Sequence, residues 1–183
     1  MEVKLVFSIS YLVFRIFIFK SSKFLKHIRN TIYQIRNTNF MFIGEYSHNL
    51  DSKGRIAVPA KFRTLLEKGA VVTKGLDNCL FLYPKTKWEE MAQKFANLPV
   101  SQAKARAFAR HMLAGAMNVE FDNQGRINLP EYLRKFANLK KETIIAGLFD
   151  RLEIWDEAAW NKYKATTEKD SGEIAEALGE MGV

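Results

Sequence analysis

The chain has a single cysteine, Cys79, and only three histidines, His27, His48 and His111, scattered along 183 residues. One thiol excludes a disulfide framework, and no zinc-binding spacing can be assembled from these residues, so neither a metal nor a cofactor is expected. Cys79 lies in the apolar stretch C-L-F-L-Y and reads as a small core residue. The chain also lacks a Walker loop, a Gly-rich dinucleotide fingerprint and paired catalytic carboxylates. Ser47, His48 and Asp51 are close in sequence, but neighbours on a strand point to opposite faces, so Ser47 and His48 make a poor nucleophile and base. An enzyme is not expected, nor a small-molecule substrate.

Long apolar runs are missing too. The longest, residues 5–19, is interrupted by Arg15 and falls short of the roughly 20 residues that span a bilayer. No small-x-small cleavage site follows it, which argues against a signal peptide. Residues 1–40 contain no Gly, Pro, Ala or Asp and carry seven Lys or Arg against one acid, Glu2. Their composition is that of A/T-rich codons. It is read first as a misassigned start codon upstream of the true one at Met41, with a membrane anchor or a basic amphipathic arm as the other readings. This segment carries +6 of the net charge of +8, leaving +2 on residues 41–183. A basic chain invites a nucleic-acid or membrane partner, yet here any basic surface outside the leader must be local.

What is present is a repeat. Residues 51–59 read D-S-K-G-R-I-A-V-P, and residues 122–130 read D-N-Q-G-R-I-N-L-P. The likeness extends to Phe62-Arg63 against Leu133-Arg134, Gly75 against Gly147, Leu80 against Leu152, Tyr83 against Trp155 and Trp88 against Trp160. The offset is 71 at the motif and 72 from Gly75 onward, implying one inserted residue. A unit of about 45 residues is too small to bury a stable core alone, so the two are expected to fold as one body.

The boundaries are read as a leader at 1–40, a first repeat at 45–87, a helical connector at 88–115, a second repeat at 116–159, and a C-terminal helix with a mobile acidic tail at 160–183. In each copy a strand (45–50; 119–121) leads through a tight turn into a returning strand (55–58; 126–129). Proline then opens a short helix, a strand hairpin follows (71–73 with 80–83; 143–146 with 152–155), and an amphipathic helix ends the unit. Residues 101–114 read as a further helix, basic on one side through Lys104, Arg106 and Arg110.

The turns are the candidate chemistry. Gly54 and Gly125 permit a positive φ, which pushes the flanking side chains outward at the tip. Arg55 and Arg126 follow directly, and a guanidinium there can fork onto phosphate oxygens or onto guanine O6 and N7 in the major groove. Asp51 and Asp122, four residues earlier, either orient the arginine or simply shape an Asx-turn. The alternative for each arginine is an exposed ion pair with that aspartate. Lys53 in the first turn answers neutral Gln124 in the second, so the first tip is expected to be the stronger phosphate contact.

The double D-x-x-G-R-I-x-[VL]-P, the M-F-I-G-E-Y at Met41 and the G-L-D-N-C-L-F-L-Y-P after the first motif resemble the MraZ family of the AbrB/SpoVT class. The resemblance covers residues 41 to about 166 and leaves residues 1–40 without a counterpart. It implies an α+β, mainly β fold, with two AbrB-like repeats forming a pseudo-twofold, double-split (swapped-hairpin) β-barrel flanked by helices. It also implies a cytoplasmic, nucleoid-associated transcriptional regulator of the division and cell-wall gene cluster. Such a protein would bind short repeats in double-stranded promoter DNA as a ring-like homo-oligomer, using Lys53, Gly54, Arg55 and Gln124, Gly125, Arg126. The competing reading is a protein-interaction or antitoxin-like scaffold with incidental DNA binding.

Overall fold

The computed structural model describes residues 41–179 and Gly182; the readings made of residues 1–40 lie outside the described residues. The first half runs β1 (Phe42–Asn49), β2 (Arg55–Ala57), α1 (Ala60–Arg63) with a 3-10 turn (Thr64–Leu66), β3 (Ala70–Lys74), β4 (Leu80–Pro84) and α2 (Lys85–Ala96). After α3 (Ala103–Leu113) the second half repeats the order. It comprises β5 (Met117–Val119), β6 (Arg126–Asn128), α4 (Glu131–Phe136), β7 (Glu142–Phe149), β8 (Arg151–Asp156) and α5 (Glu157–Lys169), with α6 (Ser171–Gly179) at the end. Pro59, Pro84 and Pro130 each hold an extended ψ just before a helix, where a missing N–H leaves no intrahelical bond unmade. The polar stretch after Thr166, expected to be a tail, is helical to Gly179.

The strands exchange between halves. Six antiparallel strands form one sheet in the order β1-β7-β8-β4-β3-β5, and β2 pairs with β6 in a separate ribbon. The expected local hairpin of residues 45–50 with 55–58 is therefore not formed. Asp51 N–H donates to Arg55 O at 2.9 Å and closes the turn, but beyond it β1 leaves for β7 and β2 for β6. A three-residue strand folded back on β1 would not meet Ile127. By crossing over, Ile56 comes to face Ile127 directly, and both are fully buried. One core thus serves two units that are each too small to make their own.

Equivalent residues face each other at two places, Ile56 with Ile127 and Phe81 with Glu153. In an antiparallel pair this occurs only on the local twofold, so the pseudo-axis passes through both. Register also corrects the alignment. Ala70 pairs with Pro84 and Val119, while Thr143 pairs with Asp156 and His48. The third strands are thus offset by 73 residues, against 71 at the motif and 72 in the fourth strands. Lys74, not Gly75, answers Gly147, because two residues are gained before β7 and one is lost in the β7–β8 connection.

Side chains alternate across the sheet by the period of two. Leu80, Leu82, Leu152 and Ile154 face the ribbon and pack with Ile56, Val58, Phe62, Ile127, Leu129 and Leu133. Phe81, Tyr83 and Trp155 face the other way, toward Trp88, Met91, Phe95, Met112 and Trp160 of the helices. Glu153, on that second face, is buried and accepts from Arg151 Nη2 at 2.9 Å and Trp155 Nε1 at 3.1 Å. Those bonds satisfy a carboxylate where the first half has Phe81. The architecture is α+β, mainly β. Among the described residues β1 and β5 remain the edges of the sheet, so hydrogen bonding does not close the barrel that the resemblance implies. No described helix is long and apolar enough to cross a membrane.

Candidate nucleic-acid interface

Each motif turn is tied by its aspartate. Asp51 Oδ1 accepts from the N–H groups of Lys53 and Arg55, both at 2.9 Å, and Asp122 Oδ1 accepts from Gln124 at 2.9 Å and Arg126 at 3.0 Å. This is the Asx-turn geometry. The other carboxylate oxygen takes the arginine: Asp51 Oδ2 accepts from Arg55 Nε at 2.8 Å, and Asp122 Oδ2 from Arg126 Nε at 2.8 Å. Shaping the turn and orienting the arginine, which the sequence posed as alternatives, are done by the two oxygens of one carboxylate. The glycines hold φ of +78° at Gly54 and +73° at Gly125, a region where side chains with a Cβ are strained.

Because the ribbon joins the halves, the two tips form one site. Arg55 Nη2 lies 2.7 Å from its own Asp51 and its Nη1 lies 3.9 Å from Asp122. Arg126 mirrors it, 2.7 Å from Asp122 and 3.8 Å from Asp51. Two cations and two anions thus make a neutral quartet. Its arginine side chains remain 31% and 25% exposed, so each is still partly open to solvent. Exposed pairs of this kind contribute little net stability, and exchanging an aspartate for a phosphate oxygen is correspondingly inexpensive.

The quartet also sets the acidities. Asp122 is held down to about 2, first by the Arg126 side chain and then by the Arg126 amide. Asp51 is lowered as well, first by the Arg55 amide and then by its side chain. Beyond the quartet, Ser52, Lys53, Asn123 and Gln124 are exposed, while Gly54 and Gly125 are buried. The ribbon alternates in the same sense. Ile56 and Ile127 point into the core, while Arg55 stands opposite Asn128 and Ala57 opposite Arg126 on the outer side.

Two further cations belong to this surface and were visible in the sequence only as repeat equivalents. Arg63 Nε donates to Val58 O at 2.9 Å, and Arg134 Nε to Leu129 O at 3.0 Å. Both are half-buried beside the turns. Arg63 also acts on His48, whose pKa is lowered first by burial and then by this charge. Of the basic residues on α3, Arg106 is committed to the carbonyls of Val100 and Ser101 at 2.7 and 3.0 Å.

Strand exchange between two halves, with an Asp-x-x-Gly-Arg turn from each meeting at one surface, defines a two-repeat protein. The chain belongs to the MraZ family: the family model described as "MraZ protein, putative antitoxin-like" matches residues 41–111 and again residues 112–179. The chain is 47% identical to the transcriptional regulator MraZ of Halothermothrix orenii over 143 residues, 78% of this chain and all of the relative. It is 49% identical to that of Desulforamulus reducens over 141 residues, covering 77% of this chain and 99% of the relative. With that of Natranaerobius thermophilus it shares 46% over 143 residues, again 78% of this chain and all of the relative.

Proposed function

We propose that the chain is a sequence-specific DNA-binding transcriptional regulator that reads promoter DNA with the two motif turns acting as one surface. The observation that carries this reading is the quartet. It presents Arg55 and Arg126 side by side, oriented and partly open, on the outside of a two-stranded ribbon, an element of a size to enter a major groove. Lys53 extends the positive surface on the first tip. Asn128 offers a donor and an acceptor to a base edge where the first half has Ala57. The printed names of the relatives, transcriptional regulators all three, support the same class.

With a net charge of only +2 on residues 41–183, one copy is a weak DNA binder. Assembly into a ring on consecutive promoter repeats raises the effective concentration of each tip. The exposed Ile43, Leu148 and Phe149 at one end of the β1–β7 pair favour contact between copies. The target is the promoter of the division and cell-wall gene cluster, which places the protein in the cytoplasm at the nucleoid. The crossed pairing of β1 with β7 and β3 with β5 is the exchange a swapped-hairpin barrel requires. Footprinting of residues 41–183 on the DNA upstream of its own gene tests the function. Protection at evenly spaced short repeats is expected. Absence of protection, with a partner protein retained at fixed stoichiometry instead, would favour the scaffold reading.

A further inference from the structure

The geometry points to Arg63 and Arg134 as positioning residues that act across the molecule, each fixing the DNA-facing turn of the opposite half. The inference rests on the DNA-binding reading for its consequence but not for its geometry. Arg63 leaves the end of α1 and is anchored by its Nε to Val58 O at 2.9 Å, within its own half. At its own turn, the side chain closest to a Cβ on Gly54 is that of Arg134. The Arg63 guanidinium lies over Gly125, where a Cβ would overlap it. The same Val58 sends its N–H to Gly125 O at 3.1 Å. Arg134 mirrors this arrangement. It is anchored to Leu129 O at 3.0 Å and lies over Gly54, where a Cβ would fall 2.8 Å from its Nε, while Leu129 N–H donates to Gly54 O at 2.8 Å.

One strand-exit peptide therefore does two things. Its N–H holds the far turn, and its carbonyl holds the arginine that covers that turn. Arg126 directly follows Gly125, so a displaced Gly125 misplaces the second tip. Among the described residues no carboxylate forms an ion pair with Arg63 or Arg134, so their charge also stays uncancelled beside the site. The glycines consequently have a second requirement besides positive φ: only a residue without a Cβ lets the guanidinium approach the turn this closely.

The test is amide hydrogen exchange on the full chain carrying Arg63→Ala or Arg134→Ala, with the milder Arg63→Lys and Arg134→Lys for use if the alanine variants unfold. The expected pattern is crossed. Arg63→Ala speeds exchange at Gly125 and Arg126 by roughly fivefold or more and leaves Gly54 and Arg55 unchanged, and Arg134→Ala does the reverse. Loosening confined to the variant's own half, or equal in both halves, overturns the proposal. A second arm measures binding to a fragment of its own promoter in double-mutant cycles. Arg63→Ala should couple more strongly to Arg126→Ala than to Arg55→Ala, by roughly fivefold. Equal coupling overturns the functional consequence. A parent protein that binds no such fragment sinks the DNA reading and leaves the exchange result to decide the crossed contact.

Discussion

Arg55 of the first turn lies 3.9 Å from Asp122 of the second, beyond its own 2.7 Å pair with Asp51. That cross-contact makes two distant nine-residue motifs into one surface. It also keeps the arginines oriented and their charge balanced at rest, so that under the proposed function DNA would meet side chains whose geometry is already set.

The same contact predicts an acid transition. Asp51 and Asp122 are both held below the ordinary carboxylate range by their arginine partners, which is about 3.9 for Asp. A depressed pKa contributes stability that is complete above the unfolded value and is lost as pH falls through the folded value. The second turn should therefore hold its structure down to about pH 4 and loosen toward about pH 2, and the first turn should likewise loosen only below the ordinary aspartate range. A proton NMR titration of the Arg55 and Arg126 amides checks this, and Asp122→Asn should remove the second turn's share of the transition.

His48 reports on Arg63. Its pKa is lowered first by burial and second by that guanidinium. Arg63→Ala should raise it, yet leave it below the usual value of about 6.5 because burial persists. Titrating the imidazole proton signals in parent and variant measures the change. An unmoved pKa would mean that the charge does not sit beside His48.

The pseudo-axis carries the core. Ile56 and Ile127 are fully buried against each other, so Ile56→Ala and Ile127→Ala should each destabilise by about 2–5 kcal/mol. Because they share one contact, the double variant should depart from additivity by about 0.5 kcal/mol or more. Urea denaturation of the two single variants and the double variant measures it.

The tips differ by one charge. Lys53→Gln should flatten the dependence of log K on log salt by about 0.9, one phosphate's worth, and Gln124→Lys should steepen it by a similar amount. Binding isotherms at several salt concentrations give both slopes. Equal slopes in parent and Lys53→Gln would place that side chain away from the phosphates.

The duplication, the order of strands and helices in each half and the glycine turns were legible in the sequence because each is a local pattern. Strand partners were not. A residue such as Ile56 shows the same alternation whether β2 folds onto β1 or crosses to β6, and only the need to bury it against Ile127 decides. The alignment misplaced Gly147 for a related reason: gains and losses in two connections nearly cancel, and only hydrogen-bond register separates them. The Asp51–Arg55 pair could be anticipated from its spacing, whereas the reach of Arg55 to Asp122 and of Arg63 to Gly125 is non-local. Arg63 and Arg134 carried a signal in their repeat equivalence, but nothing in the sequence says that each serves the other half.

Whether the paired turns read DNA is decided by the affinity of Arg55→Ala and Arg126→Ala for a fragment of the protein's own promoter across a salt series. Each variant should lose specific binding, by roughly 1–3 kcal/mol for each base contact removed at each site, with Arg55→Ala the more severe. Parent-like binding by both variants at every salt concentration would mean that the paired turns do not read DNA.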